Sequence, residues 1–176
     1  MSATDNLGAR ANALLGEARR AGLTVVTAES CTAGLMCQIL SDAEGAAEHF
    51  HGGFVTYTKE QKSRALGVPW SVLRSEGAVC GTVARAMAEG ALRHSGADIA
   101  AAITGVAGPE PDEDGNPVGL VFCSAAGPAR KVVTVRHFFE GLSREATIQA
   151  SVEETLTLLE QFCQIRSDAE DDKKYT

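Results

Sequence analysis

The chain alternates between short apolar runs and longer segments in which apolar residues recur every three or four positions. From about Asp5 to Arg20, leucine and alanine follow that helical spacing, and charged residues fall on the opposite face. Gly22 interrupts the pattern, and the apolar stretch from Leu23 to Thr27 is typical of a buried strand. We therefore predict a first helix followed by a buried strand.

The same patterns predict the remaining elements. Four more helices are expected at Thr32 to Leu40, Lys59 to Leu66, Gly81 to His94 and Ser143 to about Phe162. Four more strands are expected at Gly53 to Thr58, Asp98 to Thr104, Val118 to Ala125 and Lys131 to Phe139. The last two are adjacent and should pair antiparallel. This order indicates an α/β fold, a three-layer α/β/α sandwich with a mixed, mostly parallel sheet.

No internal repeat divides the chain, so we expect one domain over residues 1–166 and a polar, disordered tail over residues 167–176.

A formal net charge of −7 argues against a broad nucleic-acid surface, which needs clustered lysine and arginine. Much of that acidity lies in the tail, so the rest of the chain is compatible with an anionic small ligand.

Two kinds of motif that the sequence lacks bear on the compartment, metal content and membrane association of the protein. No charged start leads into an apolar signal segment, and no apolar run is long enough to span a bilayer. The five cysteines show neither C-x-x-C nor zinc-ligand spacing. We therefore expect a cytoplasmic protein with reduced thiols, no metal and no membrane partner.

Two loops stand where open α/β sheets gather ligands, at the carboxyl ends of predicted strands. The first is A-E-S-C-T-A-G after the first strand, and the second is T-G-V-A-G-P after the strand that ends at Thr104. Gly34, Gly105 and Gly108 would let the backbone approach a ligand, and helix N-termini favour phosphate. Neither loop matches the common nucleotide fingerprints, so the glycines alone are a weak signal.

Ser30 is a candidate nucleophile, and it needs a neighbouring base. None of the four histidines stands in a matching motif, which makes Lys62 the other candidate base. Burial lowers the pKa of a lysine, and Ser-Lys pairs are a known alternative to the histidine triad. Spacing alone does not show that the two side chains meet.

Structural roles for the same residues stay open at this point. Ser30 or Thr32 would cap the following helix, and Lys62 by composition is a solvated helix residue. Tyr57 would be half-buried strand packing, and Cys31 is either a reactive thiol or an inert buried one. Arg144, in the unfavourable first turn of a helix, hints at a use beyond structure.

The motifs taken together resemble one known family. They are T-A-E-S-C-T-A-G-L, G-G-F-V-T-Y-T-K-E-Q-K, E-G-A-V, A-R-A-M-A-E-G-A-L, S-G-A-D-I-A, I-T-G-V-A-G-P and N-P-V-G-L-V-F. In this order, from about Leu7 to Phe162, they look like the C-terminal domain of the competence/damage-inducible protein CinA. That family includes stand-alone nicotinamide mononucleotide deamidases.

The resemblance implies an amidohydrolase of pyridine nucleotide salvage that converts nicotinamide mononucleotide to nicotinate mononucleotide and ammonia. It implies a metal-independent Ser/Lys mechanism without cofactor, and a protein that forms homo-oligomers. The catalytic residues carried over are Ser30, Lys62 (rather than Lys59) and Tyr57. The substrate-binding residues expected from the motifs are Glu29, Cys31, Thr32, Thr104, Gly105, Gly108 and Arg144. Backbone N–H groups at the start of the helix after Ser30 would hold the oxyanion.

The chain departs from the family pattern at several positions. Residues 110–114 are acidic where members usually carry glycines, Ala33 replaces a glycine, and Ile148 and Gln149 stand where many members have another arginine. Two alternatives follow: a member that binds the nucleotide but hydrolyses it poorly, and a structural partner for a separate protein with the N-terminal domain of longer members.

Overall fold

The computed structural model describes residues 3–128 and 131–174. The helices in these ranges are α1 (Ala3–Arg20), α2 (Leu35–Ser41), α3 (Ala46–His49), α4 (Lys59–Leu66), α5 (Trp70–Ser75), α6 (Gly81–Ser95) and α7 (Arg144–Lys174). The strands are β1 (Val25–Glu29), β2 (Phe50–Val55), β3 (Ile99–Gly105), β4 (Leu120–Ala126) and β5 (Val132–Phe138). Helices and strands alternate as far as β3, after which two strands follow each other directly.

The strands form one five-stranded sheet in the order β2-β1-β3-β4-β5. β1 pairs in parallel with both β2 and β3, whereas β4 pairs antiparallel with β3 and with β5. Four strands therefore run in one direction and β4 runs in the opposite one. The predicted mixed, mostly parallel sheet and the antiparallel pair at its end are confirmed.

Helices cover both faces of the sheet because the central strands are apolar on both sides. In β3, Ile99, Ala101 and Ile103 join the core formed with α1, α2 and α7. Ala100 and Ala102 point the other way, into the core formed with α4, α5 and α6. Because successive side chains along a strand point to opposite faces, β3 contributes residues to two separate cores. The predicted α/β/α sandwich is confirmed.

Several predicted boundaries were wrong by a few residues. β1 begins at Val25 because the Thr24 backbone N–H and hydroxyl both donate to the carboxylate of Asp98, ahead of the ladder. β2 covers Phe50–Val55 rather than Gly53 to Thr58 because its parallel register with β1 ends at Val55. The next helix then starts at once, with the Thr58 hydroxyl accepting the Gln61 N–H as its cap.

Three helical features were not predicted. α3 and α5 span four and six residues, which is too short for a periodic pattern to stand out. α7 continues through Lys174, where the sequence predicted a disordered tail, and residues 175 and 176 of that tail lie outside the described ranges. The backbone of α7 meets no glycine or proline between Arg144 and Lys174, so nothing in the sequence ends the helix earlier.

The parallel strands place the candidate residues at one edge of the sheet. β1, β2 and β3 all end there, at Glu29, Val55 and Gly105. Thr56 continues this edge by donating its N–H to the Glu29 carbonyl oxygen over 2.8 Å. Among the described residues, no helix has both the length and the apolar character that crossing a bilayer requires.

Candidate active site

Ser30 lies in a tight turn between β1 and α2. The Ala33 N–H donates to the Ser30 carbonyl oxygen over 3.1 Å, and Leu35 N–H donates to Thr32 over 3.0 Å. Ala33 has a φ of 51° and Gly34 a φ of 102°, both in the left-handed region. Because of this turn, α2 begins only at Leu35, and the predicted helix start at Thr32 was wrong. Ser30 therefore lies directly at the end of β1, at the sheet edge.

The cap of α2 comes from Glu29. One carboxylate oxygen accepts from the Thr32 hydroxyl over 2.7 Å, the Gly34 N–H over 3.0 Å and the Met36 N–H over 3.2 Å. The other oxygen accepts the Cys37 N–H over 2.7 Å. The positive end of the helix dipole also stabilises a negative charge at a helix N-terminus. Capping by Ser30 or Thr32 was therefore a wrong alternative, because the Glu29 carboxylate already holds these donors.

Lys62 lies directly against Ser30. Its Nζ is 2.7 Å from Ser30 Oγ and donates to the Thr56 carbonyl oxygen over 2.8 Å. The side chain is 1% exposed, so the alternative of a solvated lysine was wrong. Burial lowers the pKa of Lys62 from its ordinary value of 10.5 to about 8. A substantial fraction of the amine is therefore neutral near pH 8 and able to accept a proton.

A cavity of about 460 Å³ opens over this pair. That volume lies within the usual range for small-molecule sites. It is lined by most of the predicted site residues, namely Ser30, Cys31, Tyr57, Lys62, Thr104, Gly105, Gly108 and Arg144. Glu29 and Thr32 are outside this lining: their side chains are buried behind the turn and hydrogen-bonded to each other, so neither side chain faces the cavity.

Thr104, at the end of β3, holds a neighbouring turn in place. Its hydroxyl donates to the Ala78 carbonyl oxygen over 2.8 Å, and its side chain is fully buried. Gly105 follows it where β3 and β4 pack closely, because an added Cβ would lie 2.7 Å from Val121 Cγ2. The need for glycine at this position is therefore set by strand packing as well as by access to the cavity.

Arg144 closes the cavity from the first turn of α7. Its guanidinium donates to the carbonyl oxygen of Gly108, which has a φ of +93° in the loop after β3. The side chain is exposed at the mouth, where it remains accessible to an anionic group. The cation in the first helical turn, noted from the sequence, thus lies at the cavity.

Tyr57 and Cys31 differ in their accessibility. Tyr57 is 61% exposed at the mouth, so its interpretation as half-buried strand packing was wrong. Cys31 is buried, and that burial raises the pKa of its thiol to about 12. The thiol is therefore protonated at neutral pH, which makes it an inert neighbour of Ser30 rather than a nucleophile.

The cavity also has an acidic side, whose contact with Lys59 sequence reasoning did not predict. Its carboxylates belong to Glu110, Asp112, Glu113 and Asp114, and Lys59 contacts two of them. These residues lie 51 or more positions from Lys59 in sequence, and no local pattern pairs them. Across residues 3–128 and 131–174, no three His, Cys, Asp or Glu side chains converge in the manner of metal ligands.

Comparison with known proteins gives a consistent family. A model of the CinA C-terminal domain matches residues 8–163. The nicotinamide-nucleotide amidohydrolase PncC of Escherichia coli K12 is 39% identical over 151 residues, which cover 85% of this chain and 92% of that protein. A putative competence-damage inducible protein of Symbiobacterium thermophilum is 50% identical over 110 residues, 62% of this chain. The matched part is only 26% of that longer relative.

Solved structures share the fold over nearly the whole chain. A CinA superfamily protein from Escherichia coli superposes with a TM-score of 0.84 at 34% identity, covering 92% of this chain and 93% of that one. A competence/damage inducible protein from Agrobacterium tumefaciens gives a TM-score of 0.83 at 34% identity, covering 90% and 94%. Sequence motifs, superposed folds and family model agree, and the chain belongs to the CinA C-terminal domain family.

Proposed function

We propose that this protein hydrolyses the carboxamide of nicotinamide mononucleotide, giving nicotinate mononucleotide and ammonia. The observation that carries the proposal is the buried contact of 2.7 Å between Lys62 Nζ and Ser30 Oγ under an open cavity. The amidohydrolase name of the similar Escherichia coli protein supports the reaction class. We place the reaction in cytoplasmic pyridine nucleotide salvage and expect a homo-oligomer.

The first step forms an ester with Ser30. Neutral Lys62 takes the hydroxyl proton while Ser30 Oγ attacks the carboxamide carbon, which gives a tetrahedral intermediate. The Lys62 ammonium then protonates the departing nitrogen, the C–N bond breaks, and ammonia leaves. The lysine is neutral again at this point and can serve the second half of the reaction.

The second step hydrolyses that ester. A water gives a proton to Lys62 and attacks the acyl carbon, and the bond to Ser30 Oγ breaks as that oxygen regains a proton from the lysine. The product carries a carboxylate where the substrate had an amide. Both steps use the same acid–base group, so this proposal requires no cofactor.

The oxyanion needs donors other than those expected from the sequence. The N–H of Gly34, just before α2, and those of Met36 and Cys37 in its first turn already donate to Glu29. In the part of the chain that the structure describes, no backbone carbonyl accepts the N–H groups of Cys31 and Thr32. We propose that these two amides, next to the nucleophile, hold the oxyanion.

The remaining contacts concern the ends of the substrate. Arg144 at the mouth is the proposed partner of the phosphate, since a guanidinium binds phosphate in bidentate fashion. Tyr57 would pack against the substrate beside the Ser30–Lys62 pair. The loop from Gly105 to Gly108 would contact the ribose phosphate through its backbone.

The test is ammonia release from nicotinamide mononucleotide by the purified chain. We expect release from the parent, and loss of turnover by about a thousandfold or more in Ser30→Ala and Lys62→Met because each removes half of the nucleophile pair. Matched controls are Ser41→Ala and Lys131→Ala, which change exposed residues of the same types. Full activity in Ser30→Ala would overturn the serine mechanism.

Four carboxylates line one side of the cavity, where their negative charge would repel a substrate phosphate. A second candidate function is therefore nucleotide binding with slow turnover. Calorimetric titration separates the two. Binding of the mononucleotide by the parent without ammonia release would favour this second candidate, whereas binding by Ser30→Ala with release by the parent favours the hydrolase.

A further inference from the structure

The acidic segment beside the cavity is an ordered turn, which we call the acidic turn (residues 112–116). One carboxylate oxygen of Asp112 accepts the Asp114 N–H over 3.0 Å and the Asn116 N–H over 2.8 Å, and the other accepts Asn116 Nδ2 over 2.8 Å. The backbone closes the same turn, with Asp112 N–H donating to Asn116 and Gly115 N–H donating to Asp112. Both carboxylate oxygens of Asp112 are thus hydrogen-bonded within the turn, and these bonds hold Asp114 in position.

Asp114 uses its two carboxylate oxygens on two different elements. Oδ1 accepts from Lys59 Nζ over 2.7 Å, in the first turn of α4. Oδ2 accepts the Ala78 backbone N–H over 3.1 Å, in the turn before α6. The fit at this turn is close, because a Cβ on Gly77 would lie 2.6 Å from Asp114 Oδ2. Gly77 also has a φ of +78°, so its neighbour Ala78 is presented to Asp114 by a backbone that favours glycine.

These contacts connect α4 to the end of β3. Ala78 donates its N–H to Asp114 and accepts the Thr104 hydroxyl on its carbonyl oxygen. Lys59 is three residues before Lys62, so the two side chains leave α4 from neighbouring positions on its surface. Anchoring Lys59 therefore restrains the rotation of the short helix that carries Lys62.

We propose that Asp114 is a positioning residue for the Ser30–Lys62 pair, holding the first turn of α4 against the Ala78 turn and the end of β3. This inference rests on the proposed function for its catalytic readout. Asp114 acts through Lys59 and Ala78 and does not touch the reacting atoms. A misplacement of Lys62 Nζ by a fraction of an ångström would disturb proton transfer, which depends steeply on geometry.

Glu113 provides a matched control within the acidic turn. It also contacts Lys59 Nζ, over 2.9 Å, but its side chain is 74% exposed and that of Asp114 is 26% exposed. An exposed ion pair contributes little, because solvent screens the charges and both side chains lose freedom. Glu113 has the same charge and the same lysine partner as Asp114, but Ala78 donates to Asp114 instead. Charge alone would make the two residues equivalent, whereas positioning singles out Asp114.

The catalytic test compares Asp114→Ala, Asp114→Asn and Glu113→Gln with the parent chain in ammonia release from nicotinamide mononucleotide. For Asp114→Ala we expect kcat to fall by about tenfold or more while KM changes by less than about threefold. Asp114→Asn keeps one oxygen acceptor and should retain an intermediate kcat. Glu113→Gln removes the exposed carboxylate from Lys59 but leaves the Ala78 contact intact, so kcat should fall by clearly less than in Asp114→Ala. Equal effects of Asp114→Ala and Glu113→Gln, or a rise in KM alone, would overturn the proposal.

A second readout does not depend on the reaction. Hydrogen exchange in the intact proteins, followed on peptides that cover residues 59–66 and 76–80, should be faster in Asp114→Ala and unchanged in Glu113→Gln. Faster exchange with an inactive parent would mean that the proposed function fails and the structural link stands. Unchanged exchange in Asp114→Ala would overturn the link, whatever the activity of the parent.

Discussion

At the scale of single residues, the amine of Lys62 is buried and its two hydrogen-bond partners are uncharged, a combination seldom found for a lysine. Its side chain is buried, and its Nζ lies between the hydroxyl of Ser30 and the carbonyl oxygen of Thr56. Neither partner carries a negative charge that would hold the ammonium form. Burial therefore dominates, and the pKa of the amine falls to about 8.

This shift predicts the pH dependence of the reaction. Because a general base must be neutral, kcat/KM for ammonia release should rise with pH and level off above a midpoint near the Lys62 pKa of about 8. Initial rates at low substrate concentration from pH 6 to 10 would measure the profile. A flat profile between pH 7 and 9 would contradict the role of Lys62 as the base.

The same shift has a consequence for stability that can be measured without substrate. Between pH 8 and 10.5 the unfolded lysine binds more protons than the folded one, so this group makes the free energy of unfolding rise with pH over that window. The rise attributable to Lys62 is of the order of 3 kcal/mol. Urea unfolding of the parent and of Lys62→Met across this window should show that difference in slope. Equal slopes would show that the pKa is not lowered.

At the scale of secondary-structure elements, the junction between β1 and α2 determines the geometry around Ser30. The strand delivers Glu29 into the interior, and its carboxylate then gathers one hydroxyl and three backbone N–H donors from the turn and the first turn of α2. Ser30 is thereby freed from capping, and its hydroxyl faces Lys62. The strand, turn and helix are held as one unit by a single side chain.

Glu29→Gln tests this arrangement. The amide keeps one acceptor oxygen but turns an NH₂ group toward backbone donors, so we expect the free energy of unfolding to fall by about 2–4 kcal/mol. Urea unfolding at pH 7 measures the change. Glu48→Gln, at an exposed position of α3, is the matched control and should change stability by less than about 0.5 kcal/mol. A loss in Glu29→Gln no larger than in that control would mean that the cap contributes little.

At the scale of the whole molecule, the site depends on how closely α4 packs on α6. Gly90 of α6 faces the last turn of α4, and an added Cβ would lie 2.1 Å from the Leu66 carbonyl oxygen. Only a residue without a side chain permits this approach. The packing of two helices on one face of the sheet thus sets the distance of Lys62 from Ser30 at the sheet edge.

Gly90→Ala should therefore reduce both stability and turnover. We expect a loss of about 1–3 kcal/mol in the free energy of unfolding, because overpacking forces α4 to move, together with slower ammonia release. Gly16→Ala in α1 is the control: nothing lies within 4 Å of its added Cβ, so it should gain up to about 1 kcal/mol. A stabilised Gly90→Ala variant would show that α4 adjusts freely, and that its position is not fixed by α6.

The sequence by itself determined the elements that local patterns encode. The periods of α1, α4 and α6, the buried strands β1 and β3, and the antiparallel pair β4 and β5 were predicted, with shifted ends. Apolar spacing decides these features because each element must bury one side. Ser30 was a candidate because strand ends in an open α/β sheet collect functional residues. Lys62 was the remaining candidate base and Arg144 a cation in an unfavourable first helical turn, and the family resemblance implied a role for both.

Tertiary structure alone decided which side chains meet. Ser30 and Lys62 are 32 residues apart, and Lys59 and Asp114 are 55 apart, so no local period relates them. Burial of Lys62, the capping role of Glu29 and the contacts of Asp114 with Lys59 and Ala78 arise only once helices are laid on the sheet. The physical reason is that pKa values and hydrogen-bond partners depend on the three-dimensional surroundings, which long-range packing supplies and sequence spacing does not.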